Sequence, residues 1–261
     1  MRLSIHGCRG SIPSCSNDTV RYGGNTSCYE LNFGDFQVFF DTGSGFRTVK
    51  FGKDKTKICL YSHWHHDHIQ GLPFNADIFN PANEFTICSA LSTKRPLRHT
   101  LQTYFSGGYF PVDIITTLKN LNFANISELQ QGFGDQFKLD WLELNHPGGA
   151  AGYSVLHDCR KFCYLCDNEY EDDQSDRLLE FCLNADVVVW DGMFTQAELG
   201  AKKGWGHSSI EQGIRFFEHS GIGRLVIGHH APSRTDAQLD DLANYLPTGV
   251  SFAMDGMEVE I

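Results

Sequence analysis

The chain has 261 residues, of which 41% are hydrophobic and 20% charged, a composition typical of a folded protein with one sizeable core. Its formal net charge of −11 disfavours a broad nucleic-acid surface, although bound cations would reverse the charge locally. No apolar run approaches the length of a membrane span, and the start Met-Arg-Leu-Ser lacks the apolar core of a signal peptide. The nine cysteines lack the regular spacing of a disulfide framework, which indicates reduced thiols. We therefore predict a single cytoplasmic domain, residues 1–261, without a membrane partner.

The N-terminal elements are short strands separated by turns. The segment 7–25 is rich in Gly, Ser, Pro and Asn and is predicted to be a loop. Gly34-Asp35 is a hairpin signal between two apolar runs. The predicted strands are residues 2–6, 27–33 and 36–40. Asp41 follows the last of them and stands before Thr-Gly, so we interpret it as a residue that caps the turn.

A cluster of metal-binding side chains follows the apolar run that begins at Ile58. His63 and His65 are two apart just past this strand and point to the same side, because extended backbone repeats every two residues. Asp67 and His68 come next, in a turn that opens towards a helix. Imidazoles and a carboxylate suit Zn²⁺, Mn²⁺ or Fe²⁺, and their close spacing predicts two adjacent cations. The alternative is a solvated histidine-rich loop.

The middle of the chain carries less information. Residues 84–89 are predicted to form a strand, and Leu97, Leu101 and Tyr104 have helical spacing. The aromatic and glycine-rich stretch Phe105–Pro111 either walls a pocket or simply covers the core, so no chemistry is assigned to it.

In the second half, β-prone runs repeatedly end at a histidine or an aspartate. The runs 139–144, 161–166, 186–190 and 224–228 precede, respectively, His146, Asp167, Asp191 and His229. If these strands lie side by side, their ends meet at one rim, where sites in α/β architectures are built. A lone His146 or His229 would more often be a structural histidine, and only the repetition favours a shared site.

Helices are predicted between these runs. Residues 176–184 and 237–246 are amphipathic, and Ser208-Ser-Ile-Glu211 is a capping-box pattern that starts a helix ending near Gly221. Its first turn would offer unpaired N–H groups to a phosphate, and His207 beside it could donate a proton. Alternatively, Ser208 only caps and His207 only packs. Residues 250–261 are predicted to form a hairpin turning at Asp255-Gly256. The pattern predicts two central sheets with helices outside.

The cysteines offer one motif. Cys163 and Cys166 have CxxC spacing, which can indicate a thiolate metal site. The motif lies inside a predicted strand, without the turn geometry that such sites use, so buried and unreactive cysteines are the favoured interpretation.

Taken together, the motifs resemble a known family. The string His63-x-His65-x-Asp67-His68, followed by His146, Asp167 and His229 at strand ends, resembles the metallo-β-lactamase superfamily. The strings Gly7–Pro13, Arg21–Ser27, Asn145–Gly149 and Gly204–Ser208 are similar to its phosphodiesterase branch, which includes ribonuclease Z. The resemblance implies an α/β fold, the four-layer αβ/βα sandwich with two central mixed β-sheets flanked by helices.

The resemblance also implies a binuclear site. His63, His65 and His146 would hold one metal, and Asp67, His68 and His229 the second, with His230 as the alternative to His229. Asp167 would bridge the pair. His207 would act near the scissile phosphate, oriented by Asp191, while Asp67 would orient the attacking water. The cofactors would be two divalent ions, with zinc expected and manganese or iron as alternatives.

The implied activity is hydrolysis of a small or cyclic nucleotide-like phosphodiester, an anionic substrate, by water that the metals activate. A homodimer is expected from similar proteins. A transfer-RNA 3′-end-processing endoribonuclease is less favoured, because the long flexible arm is missing and His-Ala-Pro follows His229. Thioester, lactone or β-lactam hydrolysis on the same metals, and a non-enzymatic nucleotide- or protein-binding module, stay open.

Overall fold

The computed structural model of the protein describes residues 1–261. The strands are β1 (Arg2–Gly7), β2 (Cys28–Phe33), β3 (Phe36–Phe40), β4 (Thr56–Leu60), β5 (Phe85–Cys88), β6 (Leu121–Phe123), β7 (Lys138–Leu144), β8 (Ala150–His157), β9 (Arg160–Leu165), β10 (Val187–Asp191), β11 (Arg224–Gly228), β12 (Val250–Phe252) and β13 (Glu258–Glu260). The helices are α1 (His66–Ile69), α2 (Lys94–Tyr104), α3 (Ile114–Thr117), α4 (Ile126–Phe133), α5 (Ser175–Phe181), α6 (Gln196–Leu199), α7 (Ile210–Ser220) and α8 (Asp236–Ala243). None of them combines the length and apolar character needed to cross a membrane.

The strands form two mixed sheets. The first has seven strands in the order β13-β1-β2-β3-β4-β5-β6, and the second has six in the order β12-β11-β10-β9-β8-β7. Each sheet changes from antiparallel to parallel pairing: β1, β2 and β3 pair antiparallel, whereas β3, β4, β5 and β6 pair parallel. In the second sheet, β7, β8 and β9 pair antiparallel and the strands from β9 to β12 pair parallel.

Apolar side chains place the sheets face to face and the helices outside. In β10, Val187 and Val189 enter the core between the sheets, whereas Val188 and Trp190 enter the core on the outer face. This alternation is expected for a strand buried on both faces. The outer face of the second sheet packs against α5, α7 and α8, and that of the first packs against α2 and α3. The predicted four-layer αβ/βα sandwich is therefore confirmed.

The topology brings the strand ends that carry histidine or aspartate to one rim. Strands β9, β10 and β11 are parallel neighbours, so their carboxyl ends lie together. Two antiparallel steps, from β9 to β8 and from β8 to β7, give β7 the same direction. In the first sheet, β3 and β4 are parallel and end side by side.

Two local predictions were wrong. The closing segment is not a hairpin: β12 pairs with β11 in the second sheet, whereas β13 pairs with β1 in the first. The helix expected to start at Ser208 is capped by the next residue, since Ser209 Oγ accepts from the N–H of Gln212 and Gln212 Oε1 accepts from the N–H of Ser209. Ser208 instead donates its hydroxyl to the carbonyl of Asn168.

Candidate metal centre

The rim collects the side chains proposed as metal ligands into two adjoining groups. In each group the nitrogen and carboxylate oxygen atoms lie within 4.8 Å of one another. The first group consists of His63, His65 and His146, and the second of Asp67, His68, Asp167 and His229. The ring centroids of His63 and His68 are only 4.2 Å apart, so the groups are in contact. Every predicted ligand therefore lies at one place in the fold.

Local backbone geometry aims these side chains. His63 lies three residues after the end of β4, and His65, in extended backbone, precedes α1, whose first turn carries Asp67 and His68. At the end of β11, His229 has a left-handed φ of +55°, a conformation that costs a non-glycine residue roughly 1–2 kcal/mol. A Cβ at Gly10 would lie 2.6 Å from His229 Nε2, so the loop after β1 can pass this ring only as glycine.

Unpartnered buried atoms provide a test of whether a metal fits. His63 Nε2, His229 Nε2 and Asp167 Oδ1 are buried without a hydrogen-bond partner. Such atoms are costly unless they are paired or bind a metal. His146 Nδ1 donates to the carbonyl of Gly206 at 2.8 Å, which leaves its Nε2 as the ligand atom, 2.9 Å from His65 Nδ1. Imidazole nitrogen and carboxylate oxygen are the donors that zinc, manganese and iron accept.

The charges of the site also favour cations. Burial raises the pKa of Asp167, but the charges of His229 and His68 outweigh it and hold that pKa well below its ordinary value. Burial lowers the pKa of His63 well below its usual range, which keeps this imidazole neutral and able to bind a metal. Burial opposes protonation of His68, yet the charges of Asp167 and Asp67 raise its pKa well above the usual value. A divalent cation would replace that proton.

Asp41 orients His68, a role that the turn-cap interpretation missed. Asp41 is fully buried, and its Oδ2 accepts from His68 Nδ1 at 2.6 Å, Ser62 Oγ at 2.7 Å and Tyr164 OH at 3.0 Å. Its Oδ1 accepts from the N–H of Ser62 at 2.7 Å. A carboxylate on the far nitrogen of a histidine fixes its tautomer and strengthens it as a ligand. The signal in the sequence was an aspartate directly after a buried strand.

We expect Asp41→Asn to weaken metal binding by about 10–100-fold, because the amide cannot hold His68 with a full negative charge. Titration of the metal-free protein against a chromophoric chelator measures this. Asp158, whose side chain is 87% exposed, provides the matched control Asp158→Asn, which should bind metal as the unmodified chain does. Equal affinity of Asp41→Asn and Asp158→Asn would show that Asp41 does not support the ligand.

His207 and Asp191 form a buried pair beside the two ligand groups. His207 Nδ1 donates to Asp191 Oδ2 at 2.8 Å, and its ring centroid lies 4.9 Å from that of His229 and 5.4 Å from that of His146. Burial lowers the pKa of His207, but the charge of Asp191 and this hydrogen bond raise it to about 9. Distance alone also groups His207 with His146 and Asp167 as three side chains able to hold a metal.

The loop before His207 is fastened by Glu169, which the sequence did not single out. Its carboxylate accepts from the N–H of Gly204 at 2.8 Å and from the N–H of Gly206 at 2.8 Å. Gly206 has a φ of +85°, and a Cβ there would lie 2.2 Å from His146 Nδ1. Both observations require glycine at this position. Glu169 therefore helps to fix the position of His207 relative to His146.

Two further site predictions concern His230 and the start of α7. His230, the alternative ligand, donates from Nε2 to the carbonyl of Ala253, and burial lowers its pKa to about 3. It belongs to neither ligand group. At the start of α7, three of the amides offered to a phosphate, those of Ser209, Ile210 and Gln212, already donate within the chain.

The cysteines lie outside the site. Cys163 and Cys166 are buried and unpaired, as all nine cysteines are unpaired, and neither belongs to a ligand group. The prediction that these two are unreactive agrees with burial, which raises the pKa of both thiols well above the ordinary value.

Similarity to known proteins agrees with this geometry. Ribonuclease Z from Thermoplasma acidophilum is 34% identical over 64 residues, a stretch that covers 24% of this chain and only 21% of that enzyme. Among solved structures, YhfI from Bacillus subtilis shares the fold with a TM-score of 0.69, at 19% identity over 100% of this chain and 99% of YhfI. The short form of human tRNase Z gives a TM-score of 0.69, at 18% identity over 100% of this chain and 99% of that chain.

A diphosphatase of the PhnP family also superposes, with a TM-score of 0.69, at 15% identity over 100% of this chain and 97% of that chain. At such identities these structures establish the fold alone. The family profile described as the Beta-lactamase superfamily domain matches residues 37–230, well over half of the chain. The chain therefore belongs to the metallo-β-lactamase superfamily of hydrolases.

Proposed function

We propose that the protein is a binuclear metal-dependent phosphodiesterase that hydrolyses a small or cyclic nucleotide-like phosphodiester. The observation that carries the proposal is the buried pair of His207 and Asp191 beside the two ligand groups. The alkoxide that leaves a phosphodiester is a poor leaving group and needs a proton, whereas a thiolate leaving a thioester does not. A proton donor held beside the ligands therefore favours a phosphodiester over a thioester.

The ligand set is part of the proposal. His63, His65 and His146 would hold one ion, Asp67, His68 and His229 the other, and Asp167 would lie between them. When bound, two divalent cations supply a nucleophilic water at neutral pH and bind the oxygens of the phosphoryl group. We expect zinc, with manganese or iron as alternatives, because the donors are nitrogen and carboxylate oxygen.

The side chains divide the remaining work. Asp67 Oδ2 accepts from the N–H of Ser11 at 2.7 Å, which fixes its carboxylate within the second ligand group, where it can orient the attacking water. Asp191 holds Nδ1 of His207, so Nε2 is the atom that can give its proton to the leaving oxygen. The charge of Asp191 stabilises the protonated ring before the proton is given up. A hydrogen bond to a second side chain is a common means of orienting a general acid.

A second candidate is an endoribonuclease of the transfer-RNA 3′-processing type. The 64-residue similarity to ribonuclease Z favours it. The net charge of −11 counts against it, because RNA binding draws most of its affinity from basic side chains that contact phosphates. We therefore favour a small substrate over a nucleic acid. The nine unpaired cysteines support a location in the reducing cytoplasm.

The test is a substrate panel combined with elemental analysis of the purified protein. The panel contains bis-p-nitrophenyl phosphate, cyclic mononucleotides, cyclic dinucleotides, short RNA, a thioester and a lactone. We expect chelator-sensitive hydrolysis of the synthetic diester and of at least one cyclic nucleotide, with thioester and lactone left intact. Cleavage confined to RNA would establish the nuclease instead, and cleavage confined to thioester or lactone would refute phosphodiester hydrolysis.

A further inference from the structure

An aromatic cavity of about 420 Å³ lies beside α1, the helical turn that carries Asp67 and His68. Its volume is within the range of about 300–1,000 Å³ that is usual for small-molecule sites. The side chains that line it include His66, Gln70, Phe74, Tyr104, Tyr109 and Phe110. The sequence alone did not decide whether the aromatic residues of Phe105–Pro111 wall a pocket or cover the core. In the structure, Tyr109 and Phe110 line this cavity.

One residue that lines the cavity, His66, is the direct sequence neighbour of two proposed ligands. His66 stands between His65 and Asp67 and is the one histidine of this string that belongs to neither ligand group. His66 and Gln70 are four residues apart, so they share one side of the helical turn, whereas Asp67 and His68 face the rim. The cavity therefore adjoins the string that carries His65, Asp67 and His68, on the side of the helical turn where His66 and Gln70 lie.

The residues that line the cavity favour a flat and uncharged group of the ligand. None of the lining side chains is a lysine, arginine, aspartate or glutamate, so the cavity offers no counter-charge for a phosphate. Phe74 and Phe110 meet edge to face with centroids 6.0 Å apart, and the ring of His66 lies 5.6 Å from that of Tyr104. Tyr109 remains 81% exposed, which leaves a large apolar face in water until a ring stacks on it.

Polar atoms at one end of the cavity suit the edge of a heterocycle. Gln70 Nε2 already donates to Thr26 Oγ1 at 3.1 Å, which leaves its Oε1 to accept from a ligand. The imidazole of His66 offers both a donor and an acceptor. Aromatic walls with a few hydrogen-bonding groups are the usual means of holding a nucleobase.

We propose that this cavity binds the nucleobase of the substrate, so that the preferred substrate is a nucleoside phosphodiester and not a simple alkyl diester. The inference rests on the proposed function for the position of the phosphate. The nucleobase stacks on the aromatic walls, with its edge at His66 and Gln70, while the phosphate lies at the rim.

Binding of adenosine 5′-monophosphate and of ribose 5-phosphate, which lacks the base, to the zinc-loaded protein tests the proposal by calorimetry. We expect tighter binding of the nucleotide, and Tyr109→Ala should weaken it by about 5- to 100-fold while leaving ribose 5-phosphate unchanged. Tyr109→Phe should restore nucleotide binding, because it keeps the ring. Tyr245, also 81% exposed, provides the control Tyr245→Ala, which should bind as the unmodified chain does.

The outcomes separate this inference from the proposed function. Hydrolysis of diesters with equal binding of nucleotide and sugar phosphate would overturn the nucleobase site and leave the phosphodiesterase intact. Absence of diester hydrolysis, with base-dependent binding that Tyr109→Ala abolishes, would support the cavity and overturn the phosphodiesterase. If sedimentation shows that Tyr109→Ala separates a dimer without changing nucleotide binding, the aromatic wall is a contact between copies and the proposal fails.

Discussion

Asp167→Asn is expected to reduce the bound metal from two ions to at most one per chain and to bring diester hydrolysis to background. Asp167 Oδ2 lies 3.1 Å from His68 Nε2 and 3.7 Å from His63 Nε2, so one oxygen serves both ligand groups. Its Oδ1 lies 3.1 Å from His229 Nδ1. The asparagine amide would remove the negative charge and set an N–H₂ group against a cation.

Elemental analysis measures the ion count, and thermal unfolding with and without chelator provides a second readout. Metal that binds only the folded chain raises its melting temperature, so the chelator should lower the melting temperature of the unmodified protein more than that of Asp167→Asn. Asp191→Asn is the matched control, since Asp191 is equally buried at the end of the adjacent strand but belongs to neither ligand group. Two ions retained by Asp167→Asn would remove Asp167 from its proposed position between them.

His207→Ala is expected to keep both ions and to lower kcat by about 10²–10⁴-fold, the usual contribution of a positioned proton donor. The reason is geometric, because Asp191 holds the ring beside the ligands at 2.8 Å and no other imidazole occupies that position. Metal content and steady-state kinetics on a cyclic mononucleotide, whose departing oxygen is a strongly basic sugar oxygen, measure the effect. The exposed His219 on α7 provides the control His219→Ala, which should have normal kcat.

The leaving group adds a sharper criterion. A proton donor matters most when the departing oxygen is strongly basic, so the loss in His207→Ala should grow from a p-nitrophenyl diester to an alkyl diester. A loss that is the same for both would show that His207 acts on the phosphoryl oxygens. Loss of metal in parallel with activity would instead make His207 a ligand, as its distance to His146 and Asp167 allows.

The sequence predicted the fold, and it predicted which side chains lie together in the candidate site, because its signal was local and repeated. Apolar runs of strand length ended at His63, His146, Asp167 and His229, and parallel strands bring such ends to one edge. The role of Asp41 was missed because its contact is not local in the sequence. Its partner His68 is 27 residues away, and the contact depends on pairing between β3 and β4, which no local pattern reveals.

The wrong predictions have related causes. The turn at Asp255-Gly256 is present, yet β13 finds its partner in β1, at the other end of the chain, so the two flanking strands separate into different sheets. At the start of α7, Ser208 with Glu211 and Ser209 with Gln212 both match a capping box. The contact of Ser208 with Asn168 decides between them, and it is a tertiary contact.

The fastening of residues 204–206 by Glu169 has a consequence for how a substrate enters. Glu169 stands two residues after Asp167, while the carbonyl of Gly206 accepts from His146. His207 and His146 are thus linked through residues 204–206, and His207 cannot swing aside to admit a bulky molecule without breaking these hydrogen bonds. A site preorganised in this way needs no closing movement for its chemistry, so discrimination by size must come from the walls of the entrance.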